Sequence, residues 1–216
     1  MRYLLDANVF IQGKNRAYGF DICPGFWEWL ESDRAAGRVC SIEKVQDELT
    51  TGDDELATWA GRQSEEFFLP MDPSVIAAFT AVSSWVKAQP QYGQAAANTF
   101  FEAADYYLVA YAHAHGDVVV THETPAPQAK KVKLPTACIG VGVKTMNPWE
   151  MLRREKVRFV LEQPVAERPQ PGGAEGQAEV APRVPQDDTS GVAAFFGTWP
   201  GDESDAELLE ALGETK

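Results

Sequence analysis

The chain has 216 residues, 44% of them hydrophobic, with 32 acidic and 19 basic side chains and a net charge of −13. That length suits one globular domain with an appendage, or two small domains, and is enough to bury a core. The three cysteines form no CxxC pair, Asp6 breaks the first apolar run, and no run approaches transmembrane length. A disulfide framework, a signal peptide and a membrane span are therefore excluded as expectations, and a reducing cytoplasm is the expected setting.

The acidity is uneven. Up to Val160 there are 16 basic and 20 acidic residues, whereas from Leu161 onward there are 3 and 12. A local basic stretch runs from Lys130 to Arg158, with eight Lys or Arg against Glu150 and Glu155. Such a stripe can follow a phosphate backbone, and it can equally be a solvated face.

In chain order, Tyr3 to Leu5 reads as a short buried strand, and Asp6 with the following Ala7 to Ile11 as its polar carboxyl end. Pro24 opens a helix expected to reach about Ala35, and Val39 to Ser41 is a second strand. A helix-like piece from Ser41 through Glu48 follows, then another from Asp53 or Asp54 to about Gln63. Phe67 to Leu69 reads as the third strand, and Asp72 with Pro73 starts a helix to about Gln89. The strongest helix is expected over Asn98 to His115, ended by Gly116, with a strand over Asp117 to Thr121. A further strand near Val141 to Thr145 and a helix from Pro148 to about Lys156 close the body. Alternating strands and helices predict an α/β fold of three layers, α/β/α, with a mainly parallel central sheet and a flexible C-terminal tail.

Composition divides the chain into a body of residues 1–160, a Pro/Gly-rich linker of residues 161–190 and an acidic-hydrophobic segment of residues 191–216. In the last segment Phe195, Phe196 and Trp199 precede a short helical pattern carrying Leu208, Leu209 and Leu212. A helix that short needs something to dock on.

Four acids stand out. Asp6 follows the first strand and Glu48 the second; Asp105 lies on the apolar side of the long helix, and Glu123 follows the fourth strand. Each alone has an ordinary reading: a cap or turn for Asp6, a helix-dipole acid for Asp105, a solvated residue for Glu48 and Glu123. Together they would converge at the carboxyl edge of the sheet, where ligands bind in open α/β folds. Oxygen ligands without His or Cys suit Mg²⁺ or Mn²⁺.

The opening LLDANVFI, the glutamate in DEL and the stretch ADYYLVAYAHAHGDVVVTHE resemble the PIN domain, a metal-dependent nuclease fold that includes toxins of VapBC-type toxin–antitoxin pairs. The likeness extends to an uncharacterised branch of PIN-like proteins with the elements FDICPGFWEWL and VGVKTMNPWEMLR, and covers about residues 1–160. It implies that Asp6, Glu48, Asp105 and Glu123 hold Mg²⁺ or Mn²⁺, with Glu123 where many relatives have Asp. Asn8 and Thr121 match supporting positions, whereas His113, His115 and His122 match none. The implied activity is endoribonuclease hydrolysis of RNA by a metal-activated water, without a protein nucleophile.

Lys130, Lys131, Arg153 and Arg154 are candidate phosphate contacts. The resemblance also implies an antitoxin protein as partner and admits a homodimer. The segment Val192 to Leu212 is a candidate inhibitor, because the 27 residues from Pro164 to Ser190 have an r.m.s. reach of roughly 26–31 Å. Two other classes fit the same acids: a catalytically weak RNA- or protein-binding module, and another Mg²⁺-dependent phosphoesterase.

Overall fold

Five short segments rich in Val, Leu and Ile pair into one parallel sheet. They are β1 (Tyr3–Leu5), β2 (Val39–Ile42), β3 (Phe68–Leu69), β4 (Val118–Val120) and β5 (Lys144–Met146), in the order β3-β2-β1-β4-β5. The structure is a computed structural model and describes residues 1–32 and 35–160. The expected linker and docking segment, including Phe195, Phe196, Trp199, Leu208, Leu209 and Leu212, lie outside the described residues.

Every residue of β1, β2 and β4 is buried. Successive side chains of a strand point to opposite faces, so both faces of the central sheet are covered by helices. The helices are α1 (Ala7–Gln12), α2 (Pro24–Leu30), α3 (Glu43–Leu49), α4 (Glu55–Arg62), α5 (Val75–Ala88), α6 (Gln94–Glu102), α7 (Ala104–His115), α8 (Leu134–Gly140) and α9 (Pro148–Arg154). The fold class is thus the α/β class expected.

Local chemistry sets several ends. Asp54 caps α4 by accepting from the Ala57 N–H at 3.0 Å. Asn147 and Glu150 form a capping box on α9, with Pro148 in its first turn. Gly116, at φ +71°, closes α7 and turns the chain back into β4. At the amino-terminal edge of the sheet, Arg2 grips Asp117 through Nε and Nη2 at 2.7–3.1 Å, joining the starts of β1 and β4.

Four expectations are corrected. The residues after Asp6 are not strand but helix α1, whose Val9 and Phe10 are buried. Phe10 packs on Trp59, Phe67 and Phe68, and that aromatic anchor fixes the turn. Helix α2 stops at Leu30, where the Ser32 hydroxyl takes the Trp29 carbonyl at 2.6 Å. The long helix is two helices that begin at Gln94 and break at the extended Ala103 (φ −82°, ψ 153°). Finally, Val141 and Gly142 belong to the end of α8, where Gly142 at φ +79° lets the Val143 N–H reach the Cys138 carbonyl at 2.8 Å. The last strand is therefore Lys144–Met146.

Candidate functional site

The strand order reverses between β1 and β4, so the chain leaves their carboxyl ends in opposite directions and opens a crevice there. Asp6 leaves β1 at that point and Thr121 to Glu123 leave β4 beside it. Asp6 is 4% exposed and, although it stands at the start of α1, its side chain makes no capping bond. Instead its Oδ2 accepts from Thr121 Oγ1 at 2.8 Å.

Thr121 is the hub of the crevice. Its hydroxyl accepts from Asn8 Nδ2 at 3.1 Å and from the Glu123 N–H at 3.0 Å. Asn8 Oδ1 in turn accepts from the His122 N–H at 3.1 Å. The side chains at 6, 8 and 121 thus lock the β1–α1 turn to the exit of β4.

Helix α7 leads into β4, so it runs against the strands and starts at the carboxyl edge. The break at Ala103 puts Asp105 in its first turn, partly buried. Glu48 comes from the last turn of α3, the helix that follows β2. Burial first, and then the charges of Asp105 and Glu123, push the Asp6 carboxyl up to about 8. Burial, Glu123 and Glu48 push Asp105 up to about 6, while Lys133 pulls it back. Partial desolvation raises Glu48 as well, although its side chain is exposed. Each of the four acids is therefore within electrostatic reach of at least one other, with Asp105 as the node.

Glu123 is held on one side only. Its Oε1 accepts from Lys133 Nζ at 3.0 Å, while its Oε2 is buried with no hydrogen-bond partner. A buried acceptor left bare costs about 1–3 kcal/mol. Hard, uncompensated carboxylate oxygens at a crevice fit a divalent cation by donor chemistry. Among the described residues, however, no three His, Cys, Asp or Glu side chains close into a ligand set. A cation among them would relieve the like-charge repulsion that helps to raise Asp6 and Asp105.

The basic residues separate. Lys131 shares with Asp105 a cavity of about 350 Å³, lined also by Ala96, Phe100 and Ala103. Lys130 is its exposed neighbour. Arg153 is exposed near the end of α9, and Arg154 lies against Met1 Sδ, at the amino-terminal edge away from the acids. A cavity of about 540 Å³ is also at that far edge, between Gly37, Val39 and Phe67.

Two residues near the acids were not singled out from the sequence. Lys133 was one of eight lysines and arginines in a basic stretch, with no signal marking it. His122, which matched no position of the resemblance, packs edge-on to Trp149 at 4.9 Å with its Nε2 buried and unpartnered. Its position directly after Thr121 was the available clue. His115 pairs with Asp72 at 2.8 Å, and His113 meets the Val141 carbonyl at 3.0 Å.

These features define a doubly wound parallel α/β domain with a carboxylate-lined crevice at its switch point. More particularly, the chain belongs to the family described as domain of unknown function (DUF4411), whose model matches residues 3–159. A solved structure of FitAB bound to an IR36 DNA fragment is similar at 20% identity and a TM-score of 0.42, over 68% of this chain and 95% of that one. No curated protein matches the chain. No helix among the described residues is long and apolar enough to cross a membrane.

Proposed function

We propose that this protein is a divalent-metal-dependent endoribonuclease, the toxin of a toxin–antitoxin pair, as its resemblance to the PIN domain implies. One observation supports this most: a buried Asp6 at the β1/β4 switch point, tied to Thr121 and facing two further carboxylates. Asp6, Glu48, Asp105 and Glu123 are the residues that would hold Mg²⁺ or Mn²⁺. When bound, such a cation supplies a water of lowered pKa and neutralises charge gathering on the phosphate. The chain's own residues do the positioning. Thr121 fixes the Asp6 oxygen, Asn8 fixes the loop carrying Glu123, and Lys131 lines the cavity that Asp105 borders. The antitoxin, or the chain's own segment Val192 to Leu212, is the inhibitor in this reading.

The test is cleavage of a mixed RNA pool by the purified protein with Mg²⁺ or Mn²⁺, beside Asp6→Asn. Cutting that needs metal and is abolished by the substitution supports the proposal. Tight Mn²⁺ binding without cutting would favour a binding module instead, and turnover of small phosphoesters but not RNA a different phosphoesterase.

A further inference from the structure

We infer that Lys133 is the resident cation of this site: it holds Glu123 while no divalent ion is bound, and it is freed to contact the substrate's phosphate once an ion takes that carboxylate. The inference rests on the metal-dependent reading above and assigns Lys133 a direct contact with substrate.

Three features support it. Lys133 Nζ reaches only one Glu123 oxygen, at 3.0 Å, and leaves the other buried and bare. One ammonium is thus set against a group of four acids and does not complete even the carboxylate it touches. The pair is also loosely held, since the side chains of Lys133 and Glu123 are 42% and 28% exposed. A compact, flexible ammonium in that setting exchanges partners readily.

The backbone, by contrast, is fixed. Lys133 stands immediately before α8 in extended conformation (φ −98°, ψ 134°), between Val132 and Leu134, which are 9% and 0% exposed. The side chain can swing while its root stays in place. Lys130 and Lys131 precede it on the same segment, so an arriving polyanion meets a run of positive charge there.

The test is Mn²⁺ binding to the full chain by calorimetry, with Lys133→Met, Lys133→Arg and Lys144→Met compared with the parent protein. Lys144 is exposed at the start of β5, at the far edge, and controls for net charge. Removing a competing cation is expected to tighten Mn²⁺ binding by about 3- to 10-fold in Lys133→Met. Lys133→Arg and Lys144→Met should stay within about twofold of the parent on the same electrostatic argument. In Ca²⁺, the dependence of single-stranded RNA affinity on salt should lose about 0.7 from its log–log slope in Lys133→Met.

Unchanged or weaker Mn²⁺ binding by Lys133→Met, with the parent binding normally, overturns the inference and leaves the nuclease proposal standing. A parent that binds no Mn²⁺ overturns the metal reading itself. Tighter Mn²⁺ binding with an unchanged salt slope overturns the phosphate contact.

Discussion

Thr121 and Asp6, 115 positions apart, share a hydrogen bond of 2.8 Å from the threonine hydroxyl to the carboxylate. The hydroxyl has one proton, and Asp6 receives it; Asn8 and the Glu123 backbone donate to the same oxygen. The Thr121 hydroxyl thus ties one Asp6 oxygen to the exit of β4.

Thr121→Val removes that proton at nearly constant shape. It should lower stability by about 1–2 kcal/mol, by leaving buried polar groups unpaired. Mn²⁺ affinity should fall with it, whereas Thr121→Ser keeps both. Equal Mn²⁺ titrations for the valine and serine variants would remove Thr121 from the site.

Asp6→Asn should stabilise the metal-free protein, and the gain should depend on pH. The folded protein holds the Asp6 proton up to about pH 8, whereas an unfolded aspartate releases it near pH 4. Stability linked to Asp6 is thus fully present below about pH 4 and is lost as pH rises through about 8. The substitution should raise the melting temperature at pH 8.5 in EDTA, at roughly 2–4 °C per kcal/mol, and change little below about pH 4. A loss of stability at pH 8.5 would show that the carboxylate is structural.

Asp117→Ala should cost about 1.5–3 kcal/mol, because it removes the charged hydrogen bonds between Arg2, 29% exposed, and its nearly buried partner. The pair lies at the amino-terminal edge, so Mn²⁺ affinity in the folded fraction should not move. Denaturant unfolding beside calorimetry separates the two effects.

Gly140→Ala should destabilise the fold by about 1–3 kcal/mol through overpacking. An added Cβ would collide with the indole of Trp85, where α8 crosses α5. A variant as stable as the parent would show that Trp85 can move aside.

A chain ending at Gln163 should cut RNA faster than the full chain if Val192 to Leu212 acts as an inhibitor. Equal rates would count against that role.

How much of this was legible follows from the kind of signal. Val118 to Val120 and Leu4 to Leu5 are buried on both faces, so apolarity alone marks them. Helix α8 escaped because LPTACIG is short, opens on Leu-Pro and is buried on nearly every side, leaving no polar face to reveal a period. The break at Ala103 was hidden by helix-favouring alanines on both sides, since propensity does not register a single extended residue set by packing. Asp6 and Glu123 were readable as acids just beyond strands, and Asp105 as an acid on the apolar side of a helix. Their mutual repulsion, and the Lys133 ammonium set against it, depend on side-chain placement that spacing does not encode.

The two-sided pairing of β1 has a consequence for the order of events during synthesis. Asp6 is made almost first, yet Thr121 and Glu123 arrive with β4, more than a hundred residues later. At typical rates that interval is roughly 6–23 s. Until β4 leaves the ribosome, the crevice has only one wall. The four acids therefore cannot meet until more than half of the chain has been made.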